Sequence, residues 1–360
     1  MAGNEDIIAM LNADMRDEHG ALILYLQHAY FLGEGEEAAT IEGNARDEMR
    51  HFKWLAQAIV QLGGVPTLDR TNMELGGDLP KHWMARDVVA EKDAIAQYER
   101  HRDAIDDPKV KAMIDRILTD ERAHLGIFTG LQAEFAETGR VGLLSPGKAP
   151  AGSATPDGGL GGDGAVVDYA TRHEYTVLLQ YLFHSFMTTS HEASREWETI
   201  AVNEMQHLGW FSEYAADSGM QPLLTHDPVE KGHVTPDMLG ADIAAERDVS
   251  RRYTDAIAEF EADESKAKFV RVLARARDNE DWHAHMFRLM LDRSAAGDEP
   301  VQRPGIGPTQ PSEPRETMSG EARSAPEGSS GAAVAAADGA DADPGAQDCD
   351  KRFTVGSLIE

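Results

Sequence analysis

Between residues 41 and 62 the chain places Ile41, Glu48, His51, Leu55, Ala58 and Leu62 on one helical face, the stripe that a packed helix buries. A carboxylate and an imidazole inside that stripe constrain the fold more than any compositional figure, because glutamate is almost never buried without a partner for its charge. The pattern occurs four times. Glu48 with His51, Glu121 with His124, Glu204 with His207 and Glu280 with His283 are each Glu-x-x-His, and residues three apart are neighbours on a helix surface. The second pair lies in the stripe Ile114, Ile117, Glu121, His124, Phe128, Leu131, and the fourth in Leu273, Ala276, Glu280, His283, Phe287, Met290. Any fold of this chain has to bring ionisable side chains into helical cores.

The pairs belong to an internal duplication. "DEHGALILYLQHAYF" aligns with "RHEYTVLLQYLFHSF", "RDEMRHFKWL" with "VNEMQHLGWF", and "VVAEKDAIAQY" with "IAAERDVSRRY". Gly63 and Pro66 follow the second helical pattern as Gly219 and Pro222 do, a helix stop. Asp107-Pro108 and Thr235-Pro236 read as a cap followed by a first-turn proline. The expected architecture is all-α: one antiparallel four-helix bundle over 1–137 and a second over 166–293, with short hairpin connections and a longer crossover after each second helix. Residues 138–165 and 294–348, rich in Pro, Gly, Ala, Ser and Asp, read as flexible tethers, and 349–360 as a separate tail.

Each block also supplies two isolated glutamates on its other helices, Glu18 and Glu91 in the first and Glu174 and Glu246 in the second. Four acids and two imidazoles would thus face inward per bundle. Desolvating a carboxylate costs several kcal/mol and clustered carboxylates repel, so such a core requires counter-charge, and two divalent cations cancel four carboxylates. The single Cys349 excludes a Cys-x-x-Cys site within this chain, leaving oxygen and nitrogen donors that suit Fe or Mn better than Zn. A fifth match, Glu230 to His233, sits between Pro228 and Pro236 with a glycine inside and reads as a loop coincidence. A formal charge of -29 argues against nucleic acid or an anionic membrane as partner and favours cations. No apolar run is long enough to span a bilayer, and the start lacks a signal-peptide pattern, so a cytoplasmic protein is expected.

One Glu from each of two helices plus Glu-x-x-His from the other two is the ligand set of ferritin-like di-iron bundles, and both blocks resemble bacterioferritin and rubrerythrin, members of the ferritin-like superfamily, over roughly 5–137 and 166–293. The resemblance implies two iron ions per bundle, held by Glu18, Glu48, His51, Glu91, Glu121 and His124 and by Glu174, Glu204, His207, Glu246, Glu280 and His283. It places Tyr25 and Tyr181 two turns after the first ligand glutamates; Tyr98 and Tyr253 stand likewise after Glu91 and Glu246. These four phenols either orient ligands or supply an electron, or are core tyrosines with one hydrogen bond each. Met49 and Met205 stand where bacterioferritin carries a haem-ligating methionine, although Met packing at an interface needs no haem.

The terminal "DKRFTVGSLIE" is similar to the C-terminal cargo-loading peptides by which proteins are packed into encapsulin shells. Phe353, Thr354, Val355, Gly356, Ser357 and Leu358 would lie extended in a groove of the shell protein, with the preceding segment as tether. The expectation is therefore a ferroxidase inside an encapsulin nanocompartment, oxidising Fe(II) with O2 or H2O2 for iron storage or detoxification. Its bundles would pair with each other or between chains. The alternatives are a di-metal peroxide-detoxifying enzyme of rubrerythrin or manganese-catalase type, or a non-catalytic iron or haem carrier. A rubrerythrin-type reductase normally draws electrons from an iron-sulfur module, which one cysteine cannot build.

Overall fold

Sixteen consecutive residues of the first helix, from Ala13 to His28, carry both a ligand stripe and an apolar stripe on the opposite side, "ALILYLQH" being apolar almost all round. A helix of that kind is buried from two directions. In a computed structural model, which describes residues 3–72, 74–144, 162–222, 224–232 and 235–296, this is what α1 (Asn4–Leu32) and its repeat α5 (Asp163–Met187) do. The last eleven residues of each, Leu22–Leu32 and Val177–Met187, are buried without interruption.

The remaining helices are α2 (Glu36–Gln61), α3 (Pro80–Ala104), α4 (Pro108–Thr138), α6 (His191–Asp217), α7 (Thr235–Phe260) and α8 (Ala267–Ala296). α1 pairs with α2 and α3 with α4, as α5 does with α6 and α7 with α8, giving two four-helix bundles among the described residues. No strand occurs among those residues, and no helix among them is long and apolar enough to cross a membrane.

Local chemistry fixes the ends. Asp107 caps α4 by accepting from the Lys109 and Val110 amides at 2.8 and 3.0 Å, with Pro108 filling the first helical position. Gly63 and Gly219 end α2 and α6 at φ 85° and 74°, a conformation that costs a β-carbon-bearing residue energy. Thr235 differs from its reading as a cap, because it is the first helical residue of α7 itself. The connection between the last two helices is three residues longer in the second block, 261–266 against 105–107, and holds a 3-10 turn, Glu264–Lys266, started by the Asp263 carboxylate. Glu230 lies in the connector before α7, outside any helix, while His233 is outside the described residues.

Three expected boundaries move, one of them at the end of α8, which runs to Ala296 rather than 293. α4 runs to Thr138, and residues 139–144, assigned to the tether by composition, fold back on the first bundle through Leu144 N–H to Phe31 O at 3.1 Å. Their Gly142 passes so close to Trp83 that a β-carbon would sit 2.4 Å from the ring. α5 starts at Asp163, where Tyr214 and Lys266 hold the aspartate side chain. The buried stripes also widen. Ala58, Leu62 and Leu131 are only half-buried, whereas Phe52, Ala56, Ile59 and Phe135 are fully enclosed.

The two bundles meet through their first helical pairs, α1 against α6 and α2 against α5, a twofold-like exchange. Equivalent positions His19 and Tyr175 touch on that axis, where Tyr175 O–H donates to His19 Nε2 at 2.5 Å and His19 Nδ1 faces Asp69 O at 3.3 Å. Burial drives the His19 imidazole down to about 3, so it is neutral and can donate from one nitrogen while accepting at the other. Phe52 meets Phe186 across the same seam at 6.2 Å, Gln27 donates to Pro222 O at 2.9 Å, and Lys53 pairs with Glu198.

Candidate metal centres

Three- and four-residue spacing on α2, α4, α6 and α8 brings each Glu-x-x-His pair inward, and α1, α3, α5 and α7 contribute one glutamate apiece. Glu18, Glu48, His51 and Glu121 converge with donor atoms within 4.8 Å of one another, and so do Glu48, Glu91, Glu121 and His124. In the second bundle the groups are Glu174, Glu204, His207, Glu280 and Glu204, Glu246, Glu280, His283. All twelve residues named from the sequence are thus assembled, six per bundle, and every one is buried.

The two groups in each bundle overlap. Glu48 and Glu121 belong to both groups of the first bundle, as Glu204 and Glu280 do in the second. Each bundle therefore has two adjoining pockets with two shared carboxylates between them and one Glu and one His at each outer side. The imidazoles face this space with Nδ1. His51 Nδ1 lies 2.9 Å from Glu121 and 3.1 Å from Glu48, and His283 Nδ1 lies 2.9 Å from Glu204 and 3.0 Å from Glu280.

Many of these converging atoms are close without making a hydrogen bond. Glu48 Oε1, Glu91 Oε2, Glu121 Oε1 and His124 Nδ1 have no hydrogen-bond partner among the described residues. The same holds for Glu174 Oε2, both oxygens of Glu204, His207 Nδ1, Glu246 Oε2 and Glu280 Oε1. A buried carboxylate oxygen left in that condition is costly, so the donor set fits a cation pair and fits a packed structural core badly. The electrostatics agree. Burial, reinforced by neighbouring glutamates, pushes Glu18 and Glu91 well above the usual carboxylate range, and burial with Glu280 pushes Glu246 up to about 8. Burial opposes charge on His51, His207 and His283, yet the facing carboxylates hold all three well above the ordinary imidazole value. Without a metal, protons must serve as counter-charge, and a divalent pair would displace them.

The four tyrosines cross over to fix the isolated glutamates. Tyr25 O–H on α1 donates to Glu91 Oε1 on α3 at 2.6 Å, and Tyr98 on α3 donates to Glu18 on α1. Tyr181 to Glu246 and Tyr253 to Glu174 repeat the arrangement. Of the roles open to these phenols, orienting the carboxylates is the one the hydrogen bonds display. A cavity of about 230 Å³ between α1 and α3 reaches Glu18, Glu48 and Glu121 from a rim that includes Asp17, Glu74 and Asp93. Met49 and Met205 are buried. Phe353 to Leu358 lie outside the described residues.

Several residues at the bundle ends escaped sequence reasoning. His28 Nδ1 meets Asp87 at 2.9 Å and its Nε2 meets Leu75 O at 3.0 Å; His184 repeats this with Asp242 at 3.1 Å and Glu230 O at 2.9 Å. Each fastens the long connector to the end of its bundle. Asp242 also accepts from Gln180 at 2.8 Å and from the buried Trp197 indole at 2.7 Å. His28, His184, Asp87 and Asp242 stand at equivalent places in the aligned repeats, which was the available signal.

Four-helix bundles that enclose paired carboxylate and imidazole sites define the class of di-metal carboxylate proteins. Consistent with this, the ferritin-like domain profile of the Ferritin family matches the chain twice, over residues 8–135 and 168–295, and the chain belongs to that family. It is 27% identical over 171 residues to a bacterioferritin of Desulfovibrio desulfuricans, covering 44% of this chain and 96% of that protein. A bacterioferritin of Rhodobacter capsulatus is 27% identical over 161 residues, covering 43% of this chain and 99% of that one. Among solved structures, the D. desulfuricans bacterioferritin, described with a diiron site in different catalytic states, aligns at 26% identity and a TM-score of 0.37 over 39% of this chain and 87% of its own.

Proposed function

We propose that the chain is a ferroxidase with one centre in each bundle, packaged by its C-terminal peptide inside an encapsulin shell. The observation that carries the catalytic part is the sharing of Glu48 with Glu121, and of Glu204 with Glu280, between two adjoining ligand groups. Iron(II) is the substrate. Two Fe(II) ions bound side by side can give up one electron each. Together with two protons these two electrons reduce O2 to H2O2, or H2O2 to two molecules of water. The shared glutamates keep the ions together while the charge rises, and Tyr25, Tyr98, Tyr181 and Tyr253 hold the outer glutamates in place. The net acidity of the chain, 63 Asp and Glu against 34 Lys and Arg in all, concentrates Fe(II) near the protein.

The test is Fe(II) addition to metal-free protein, followed by stopped-flow absorbance beside Glu48→Ala, Glu204→Ala and the double variant. A fast phase halved in each single variant and lost in the double supports the reading. Oxidation no faster than in buffer, and indifferent to the variants, overturns it. Packaging is tested by co-expression with a shell protein: removal of residues 349–360 should abolish co-purification with the shell. Manganese retained after purification would move the assignment to di-manganese peroxide chemistry, and a Soret band lost in Met49→Leu and Met205→Leu would add haem.

A further inference from the structure

The ligand atoms are the same in the two bundles, but the groups behind the histidines are not. With Nδ1 turned to the metal space, each Nε2 carries its proton outward. In the first bundle the acceptors are carboxylates. His51 Nε2 faces Asp120 Oδ2 at 3.4 Å and His124 Nε2 faces Asp47 Oδ2 at 3.2 Å. In the second bundle the equivalent positions are amides, where Asn279 Nδ2 lies 3.0 Å from His207 Nε2 and Asn203 Oδ1 faces His283 Nε2 at 3.4 Å. With Nδ1 ligating, Nε2 is a donor, so the Asn279 amide has to turn its oxygen rather than its nitrogen toward His207 Nε2.

The change extends one residue further. Arg50 reaches Asp47 Oδ1 at 2.6 Å, and Arg116 reaches Asp120 Oδ1 at 3.1 Å. Each aspartate thus gives one oxygen to an arginine and its other to a histidine. Gln206 occupies the place of Arg50 in the second repeat. Asp-Arg-Asp has become Asn-Gln-Asn at three equivalent positions around one pair of histidines, while all six ligands were kept.

A carboxylate accepting the outer N–H makes an imidazole a stronger donor than an amide does, and stronger donors favour the higher charge of the metal. We propose that the two centres are electronically distinct: Asp47 and Asp120 make the first-bundle pair the tighter and lower-potential one, and Asn203 and Asn279 leave the second weaker and higher in potential. These four are positioning residues, acting through the histidines. In the molecule as a whole, the first centre would surrender electrons to an oxidant first and the second would stay reduced longer. The inference rests on the reading that each bundle holds a metal pair, but not on the ferroxidase reaction.

The experiment uses the full chain with one centre silenced, Glu204→Ala to isolate the first and Glu48→Ala to isolate the second. Co(II), which O2 does not oxidise in a simple aquo or carboxylate setting, is titrated into metal-free protein and its visible absorption followed. The midpoint potential of each iron-loaded centre is then measured by EPR-monitored reductive titration. Co(II) should bind the first centre about 10-fold more tightly, on the order of what outer-shell partners contribute, and the first centre should have the lower potential. Asp47→Asn with Asp120→Asn should erase both differences, and Asn203→Asp with Asn279→Asp should raise the second centre towards the first. The gain in the second pair of variants cannot come from misfolding. Equal affinities and potentials in the two isolated centres, or an order unchanged by the exchanges, would overturn the proposal while leaving the metal pairs intact. Absence of Co(II) binding at both centres would instead overturn the metal reading along with it.

Discussion

The two bundles agree where atoms must converge and differ one layer out. Within the centres, every glutamate, histidine and tyrosine of the first bundle has its counterpart in the second, bonded to the corresponding partner. Around them, Asp47, Arg50 and Asp120 become Asn203, Gln206 and Asn279, and Gly20, which lets Thr71 approach α1, becomes Thr176. Over the groove between the first and third helices, Ala13 and Gln97 give way to Tyr169 and Arg252, whose guanidinium stacks 4.6 Å from the phenol. A duplicated site tolerates little change in the geometry of its ligands, but the groups that set its field and its access can drift independently. The difference between bundles is therefore chemical rather than architectural.

The comparison can be broken most severely at the shared glutamates. Glu121→Ala should halve the tightly bound divalent metal per chain, and Glu280→Ala should do the same from the other side. Inductively coupled plasma analysis after dialysis would read this, and loss of all metal from either single variant would show that the centres depend on each other.

A smaller effect should separate the bundle ends. Asp242 accepts from His184, Gln180 and Trp197, all buried, whereas Asp87 accepts from His28. Removing a buried acceptor strands its donors, at about 1–3 kcal/mol for each group left unpaired. Asp242→Ala should therefore lower stability by about 4 kcal/mol and Asp87→Ala by about 3 kcal/mol, measured by urea unfolding of the metal-free protein. A larger loss in Asp87→Ala would contradict the hydrogen-bond account.

The seam between bundles should respond to acid. Burial holds His19 at about 3 in the native state against an ordinary 6.5. The unfolded chain takes up a proton that the native chain refuses, so the contribution is complete above pH 6.5 and is lost as pH falls from 6.5 towards 3. The slope from one such group is at most about 1.4 kcal/mol per pH unit. His19→Phe should flatten the difference in unfolding free energy between pH 7 and pH 5 relative to the unmodified protein, while an unchanged slope would mean that His19 is not held neutral. The least effect belongs to Tyr25→Phe and Tyr181→Phe, each removing one hydrogen bond to a glutamate. About 1–2 kcal/mol of stability should be lost at either site, with equal values in the two bundles.

Much of this was legible in the amino-acid sequence. Glu48 and His51 announce the centre because helical periodicity carries an ionisable pair into an apolar stripe, and the repeat supplies an internal control. Asp47 and Asn203 were harder to read. Each directly precedes a ligand, pointing about a third of a turn away, and only the spacing between helices shows that it meets a histidine from a different one. His19 and Tyr175 were hidden for a different reason, since their contact depends on how one bundle docks on the other. Residues 139–144 looked like tether by composition because the packing of Leu144 and Gly142 on α1 and Trp83 is tertiary.

The most direct test is a crystal of the metal-free protein soaked anaerobically in Fe(II), with anomalous diffraction collected at the iron edge. The expected result is four peaks per chain in two pairs, each pair about 3.5–4 Å apart, one between Glu48 and Glu121 and the other between Glu204 and Glu280. Single peaks in each bundle, or iron bound only at the acidic surface, would contradict the account.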